Sequence, residues 1–170
     1  SLGFTVDDDV AEAMSAMADR LEIVSAERVR EELVKLVCAP YPRLGLTLLV
    51  DTGLADRVLP ELPALRLERD EHHAHKDVYE HTLTVLEQTM ELEHRLGSGP
   101  DFVARFAALM HDVGKPRTRR FQPDGAVTFH HHDVVGAKLT RKRMKALRFS
   151  TDTTEAVSTL VELHLRFHGY

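Results

Sequence analysis

Apolar residues recur three or four positions apart along almost the whole chain, the spacing of one face of an α-helix. The pattern predicts a first helix from about Asp9 to Leu21, opened by Asp7-Asp8-Asp9, whose charge suits the positive end of a helix. A second helix starts after Ser25, a good N-cap, and carries Val29, Leu33, Leu36 and Val37 on one face. A third, about Pro42 to Thr52, ends at Gly53, the residue type that most readily turns a chain out of a helix. Pro60 and Pro63 then confine the chain to short turns around Leu59, Leu62 and Leu65.

A polar, His-rich stretch from Asp70 to Lys76 divides the sequence into an N-terminal segment (1–70) and a C-terminal unit (71–170). The second part opens with a long helix, about Asp77 to Leu96, stopped by Gly97-Ser98-Gly99-Pro100. Another follows from Asp101 to Val113, closed by Gly114 with Pro116 just beyond. Residues 115–131 read as a loop, with Pro123-Asp124-Gly125 as a turn and Val127-Thr128-Phe129 as a short extended piece. The last two helices are expected over about His132–Leu147 and from Asp152 to the C-terminus, the latter opened by Asp152 and Glu155 as a variant capping box. The expected fold class is all-α.

Composition agrees with this and narrows the chemistry. Leu, Ala, Val, Glu and Arg dominate, and 43% hydrophobic residues in 170 supply a core, which excludes wholesale disorder. No stretch reaches the ~20 apolar residues of a membrane span, and the N-terminus lacks a signal-peptide layout. A single cysteine, Cys38, excludes an internal disulfide and a cysteine-based zinc site, so a cytoplasmic protein without membrane partners is expected. The net charge of −5 is uneven: residues 1–80 hold 17 acidic and 9 basic side chains, residues 81–170 hold 10 and 13. An anionic ligand would therefore be drawn to the second half.

The eleven histidines matter by position. On the helix from Asp77, His81 lies in line with Val78, Val85 and Leu92; on the next, His111 extends the stripe Val103, Phe106-Ala107, Met110; on the last, His164 extends Val157, Leu160 and Val161. Each alone is most simply a hydrogen-bonded core histidine. Asp112 beside His111 changes the weighting: a carboxylate at the inward end of an apolar helix needs a positive neighbour, and no other residue on that face supplies one. Imidazoles with a carboxylate make a mixed N/O site for Mn²⁺, Fe²⁺, Ni²⁺ or Zn²⁺, or for Mg²⁺ through the carboxylate and waters.

Two strings, Tyr79-Glu80-His81-Thr82 and Leu109-Met110-His111-Asp112-Val113-Gly114-Lys115-Pro116, resemble the HD superfamily of metal-dependent phosphohydrolases, which are helical. The resemblance extends to His132-Asp133-Val134-Val135-Gly136-Ala137 and to His164, and it implies a divalent metal on His81, His111 and Asp112, with His132 and His164 serving a second one. It also implies a further Asp on a helix beyond His164; the sequence ends at Tyr170 and Asp152 precedes His164, so an incomplete metal site and a C-terminally shortened domain are expected. Residues Glu27 to Leu36, with Gly53-Leu54 and Leu59-Pro60-Glu61-Leu62, resemble the neck of CCA-adding enzymes and bacterial poly(A) polymerases. Together these imply a fragment of a tRNA nucleotidyltransferase that joins neck to HD domain, without the Gly-Gly and Arg-Asp signature of the nucleotidyltransferase head.

Three functional classes remain open on the sequence. In the first the HD unit is a hydrolase of phosphomonoesters or cyclic phosphates at RNA or nucleotide ends, with Asp112, Lys115 and His132 as catalytic residues. Lys115, Arg117, Arg119 and Arg120, with Lys142 from the basic run Lys138, Arg141, Lys142, Arg143, Lys145 and Arg148, would then contact phosphate or RNA, although a solvated face is equally expected of such a run. Phe167, His168 and Tyr170 are weaker candidates for base stacking. In the second class the unit is an RNA-binding helical scaffold with a vestigial site; in the third it is structural, with a homodimer among its options. The expected partners are a tRNA or other RNA 3′ end and, for the full-length parent, a nucleotide. CCA and poly(A) addition are not distinguished.

Overall fold

The computed structural model describes residues 5–66 and 77–167, and these are helical apart from one small hairpin. In chain order the helices are α1 (Asp8–Ala16), α2 (Ala26–Val37), α3 (Pro42–Asp51), the short α4 (Ala55–Val58), α5 (Val78–Leu96), α6 (Phe102–Met110), the single turn α7 (Lys115–Thr118), α8 (His132–Ala146) and α9 (Thr151–Leu163). Strands β1 (Arg120–Phe121) and β2 (Val127–Thr128) pair antiparallel between α7 and α8. The all-α expectation holds. The predicted boundary at Asp70–Lys76 falls outside the described residues.

Local signals set most element ends. Ser25 Oγ accepts from Arg28 N at 3.3 Å and opens α2; Asp77 Oδ1 accepts from Tyr79 N at 3.0 Å and opens α5; Asp101 Oδ1 accepts from Ala104 N at 3.2 Å and opens α6. Gly53 and Gly97 follow α3 and α5 with φ of +80° and +66°, where a side chain would be strained. Several expectations are corrected. The first helix ends at Ala16 and continues as a 3₁₀ turn, Ala18–Ile23. The last is capped by Ser150, whose Oγ accepts from Thr153 N at 3.2 Å, so the Asp152/Glu155 box is not used; Glu155 instead pairs with Arg141. Gly114 does not close its helix by a left-handed turn, since its φ is −77°.

The apolar face of α5 also differs from the expected stripe. Tyr79, Leu83 and Leu86 are buried with Val78, whereas Leu92 is 51% exposed. A strict seven-residue spacing drifts around a straight helix of 3.6 residues per turn, so Val85 and Leu92 rotate away from the core. On α9, Val157 and Val161 are buried but Leu160 faces outward. One apolar core runs through both halves of the chain, from Leu33, Val37, Leu46 and Leu62 to Leu86, Phe106, Met144 and Val161. Within it α6 packs on α5 and α9, α8 packs on α9, and α2 reaches α6.

The contact between α2 and α6 is built on a buried ion pair that no hydrophobic pattern reveals. Arg105 on α6 and Glu93 on α5 are 5% and 7% exposed. Arg105 Nη2 donates to Glu93 Oε2 at 2.7 Å and Nε to Oε1 at 3.0 Å, while Nη1 donates to the carbonyls of Val37 and Ala39, both at 3.0 Å. Those carbonyls end α2, where helix geometry leaves them without partners. Burial alone would raise the Glu93 carboxyl, but the Arg105 guanidinium and the Asp101 backbone N–H reverse this and leave it below its ordinary value. A carboxyl depressed in the folded state stabilises the fold above its unfolded pKa, and that contribution disappears as pH falls through the folded value. Urea denaturation should therefore show stability declining on the acid side of the ordinary glutamate range. Glu93→Gln should cost about 3–5 kcal/mol at neutral pH by leaving Arg105 buried and unpaired, and should flatten that acid dependence.

Candidate metal centre

The turn after α6 carries the centre of the site. Val113 N bonds to Met110 O, and Lys115 N to Asp112 O, so the chain folds tightly just past His111. Asp112, 2% exposed, is turned inward, and side chains from four elements converge on it. His111 Nε2 is 3.2 Å from Asp112 Oδ2 and Lys115 Nζ is 2.8 Å from the same oxygen. His132, from the start of α8, places Nε2 3.3 Å from Asp112 Oδ1; His164, just past α9, places Nε2 3.8 Å from Oδ1 and 3.2 Å from His132 Nε2. His81 of α5 stands at the partly exposed rim, its ring 5.5 Å from that of His111. Two donor sets share Asp112, one with His81 and His111 and the other with His132 and His164; in each, the ligand atoms lie within 4.8 Å of one another.

The close approach of α8 depends on glycine. A Cβ on Gly114 would sit 2.1 Å from His132 O and 2.7 Å from Gly136 N, both backbone atoms that cannot turn aside. The Gly at 114 and the Gly-Ala at 136–137 are thus two sides of one contact, and that contact carries His132 to Asp112.

Hydrogen bonds on the far side of each ring decide what the near side offers. His111 Nδ1 is 2.7 Å from Ala108 O, His132 Nδ1 is 2.8 Å from Phe129 O, and His164 Nδ1 is 2.6 Å from Val161 O. A carbonyl only accepts, so each Nδ1 carries the hydrogen and each neutral ring turns the Nε2 lone pair inward. Lone pairs then face a carboxylate, and face each other between His132 and His164. Acceptors at such separations require positive charge among them. Burial lowers the His132 imidazole, but Asp112 and the Phe129 carbonyl outweigh this and raise it, whereas burial dominates at His164 and lowers it. At Asp112 burial raises the carboxyl, and the hydrogen bonds with His111 and His132 together with the charge of Lys115 reverse this, holding it far below the usual carboxylate range. The donor set fits a divalent cation on the same grounds: inward Nε2 lone pairs fixed by backbone carbonyls around a deprotonated carboxylate.

All five residues expected to ligate a metal are brought together. Asp112 departs from expectation in one respect. The positive neighbour said to be missing from Asp112 is present, as Lys115 one turn along, and its Nζ also lies 5.5 Å over the Phe129 ring. A basic residue following a tight turn after His-Asp was the available signal. Of the basic residues, Arg141, Arg143 and Arg148 are held in ion pairs with Glu155, Glu61 and Glu27, the structural role such runs often have. Arg117 and Lys142 border a cavity of about 220 Å³ between Pro60–Ala64 and α7–α8. Phe167, His168 and Tyr170 have no described side chains.

Comparison with known proteins gives two matches along the chain. Residues 3–65 match the model described as the probable RNA and SrmB-binding site of polymerase A, and residues 78–170 match the HD domain. Among curated proteins, the chain is 38% identical over 97% of its length to a CC-adding tRNA nucleotidyltransferase of Thermus thermophilus, and 36% identical over 97% to an A-adding tRNA nucleotidyltransferase of Deinococcus radiodurans. It is 34% identical over 99% to a multifunctional CCA protein of Vibrio parahaemolyticus. The chain spans 38%, 38% and 40% of these relatives' own lengths.

Replacing both His111 and Asp112 with Ala should abolish calorimetric binding of Mn²⁺ or Ni²⁺ while the far-ultraviolet circular dichroism stays helical, since the apolar core does not pass through these side chains. Gly114→Ala should weaken metal binding through His132 and should cost on the order of 1–3 kcal/mol in stability by overpacking, read from the same titration and from urea denaturation.

Proposed function

The chain belongs to the HD-domain family, with the polymerase A RNA-binding segment in front of the HD domain, and from that premise we propose that it is the neck and HD region of a tRNA nucleotidyltransferase whose HD centre is a metal-dependent phosphohydrolase acting at RNA or nucleotide 3′ ends. The observation that carries this is the convergence of His81, His111, His132 and His164 on the buried carboxylate of Asp112. The whole parent would complete or extend tRNA 3′ ends by CCA or poly(A) addition in the cytoplasm. No helix among the described residues is long and apolar enough to cross a membrane.

A divalent cation held by Asp112 with His81 and His111, and a second by Asp112 with His132 and His164, would supply Lewis acidity toward a phosphoryl oxygen. The rest is done by the chain's own residues. Asp112 sits on the tight turn after α6 and shares its carboxylate between both donor sets. Lys115 presents its ammonium 2.8 Å from Asp112 Oδ2 and would neutralise charge on a phosphoryl group brought to the cation that Asp112 holds. His132, with Nδ1 fixed on Phe129 O, directs Nε2 to the centre, where it ligates or passes a proton to a leaving oxygen. Arg117 on α7, Arg119 just after it, Arg120 on β1 and Lys142 on α8 would take the backbone phosphates of the RNA.

The test is hydrolysis of nucleoside 2′,3′-cyclic phosphates and of phosphomonoesters by the metal-loaded chain. Turnover should require the cation and should fall at least 10²–10³-fold in Asp112→Ala; Lys115→Ala should lower kcat by roughly 10²-fold at saturating cation. Stoichiometric metal binding without turnover of any phosphoester would favour a non-catalytic RNA-binding scaffold.

A further inference from the structure

Between Lys115 and His132 the chain makes an excursion that the chemistry above does not use. It leaves α7, forms the hairpin β1–β2 and returns through Phe129. Both ends are fixed to the same carboxylate, Lys115 at 2.8 Å and His132 at 3.3 Å from Asp112. Phe129 closes the base of the loop, its ring beneath Lys115 Nζ and its carbonyl on His132 Nδ1. The hairpin is therefore rooted at the rim of the metal centre. Register pairs Arg120 with Thr128 and Phe121 with Val127, Gln122 Nε2 bonds to Thr128 Oγ1 at 3.2 Å, and the Asp124 carboxylate accepts from Ala126 N at 2.9 Å, so the tip is an ordered turn.

On this hairpin stands Phe121, 58% exposed. The other described phenylalanine side chains all have packing roles: Phe102, Phe106 and Phe149 stack on one another, and Phe129 sits under Lys115. Phe121 is instead capped by a cation, with the Arg119 guanidinium 5.1 Å from its ring centre and Arg120 beside it, exposed. A largely exposed aromatic ring with one guanidinium over its face and a second next to it in sequence, on a hairpin whose base is tied to Asp112 through Lys115 and His132, offers what an unpaired nucleotide requires: a surface to stack the base and cations for the adjoining phosphates.

We infer that Phe121 is a stacking platform for an unpaired nucleobase at the RNA end presented to the metal centre, with Arg119 and Arg120 contacting its flanking phosphates. This rests on the RNA-end reading proposed above and adds the group that recognises the base. Stacking is tolerant of base identity, so the platform selects single-stranded ends over paired ones and does not choose among the four bases.

The test is fluorescence anisotropy of a labelled six-residue oligoriboadenylate against the 170-residue chain and its Phe121 variants. Phe121→Ala should weaken binding on the order of ten-fold, and Phe121→Trp should retain it. Binding of a blunt RNA duplex, which offers no unstacked base, should be the same in all three proteins. Unchanged oligonucleotide affinity in Phe121→Ala, no oligonucleotide binding by the parent sequence, or an equal loss on the duplex would each overturn the inference; the last would mark Phe121 as a structural or protein-contact residue. Hydrolysis of glycerol 2-phosphate, which has no base, separates this from the phosphohydrolase proposal: Phe121→Ala should leave it unchanged, and absence of that hydrolysis in every protein would count against the proposed chemistry while the binding result still decides the role of Phe121.

Discussion

The fold depends on one buried guanidinium. Arg105 is the point at which α2, α5 and α6 meet, and each of its interactions answers a different deficit: its charge is met by Glu93, and its remaining hydrogens satisfy the orphan carbonyls of Val37 and Ala39 at the end of α2. A buried pair of this kind is weak evidence for stability by itself, because desolvation offsets much of the attraction. Its contribution here is geometric. It sets the rotation of α6 against α5 and ties the N-terminal helices to the helix that ends in His111-Asp112, so the neck and the metal centre share one reference frame.

From that frame the site follows by two further constraints. Gly114 lets the backbone of α8 approach to a distance that any side chain would forbid, and so carries His132 to the same carboxylate that α6 presents. Three backbone carbonyls then fix three imidazole rings with their lone pairs inward. The result is a cluster of acceptors that is stable only with positive charge among them. Lys115 supplies part of that charge, 2.8 Å from Asp112 Oδ2, and the inward lone pairs leave room for a cation to supply the rest.

Much of this was legible in the sequence. Helical spacing of apolar residues gave the all-α class, and residues with an obvious physical role (Ser25, Asp77, Asp101, Gly53, Gly97) marked element ends correctly. His111-Asp112 and the histidines in register with it were found because a polar residue on an apolar face stands out against its surroundings. The failures share a cause: they depend on what a residue meets across the fold. The stripe on α5 was drawn through Leu92, when the chain buries Glu93 instead, and Glu93 is tolerable there only because Arg105 faces it from another helix. The need of Asp112 for a counter-charge was read correctly, but its nearest source was missed, since a loop was expected at 115 and a helical turn places Lys115 within reach. The spacing of Asp152 to Glu155 suggests a cap there, while Ser150 has the extended backbone of a cap and accepts from Thr153 N.

The basic residues of the second half, for which a solvated face and phosphate contacts are equally expected from the sequence, are in the structure divided between ion-paired and unpaired groups. Arg141, Arg143 and Arg148 each meet a glutamate from another element, so they hold α8 and its C-terminal end against α9, the Pro60–Leu65 turn and α2. Arg117 and Lys142 border one cavity, Arg119 and Arg120 follow α7, and among the described residues no carboxylate is paired with any of the four. Paired cations add little to the field outside the protein, because each is cancelled within a few ångströms. The unpaired group keeps its charge on the surface, although the chain as a whole is acidic. That asymmetry is produced by where the glutamates fall rather than by the number of basic residues.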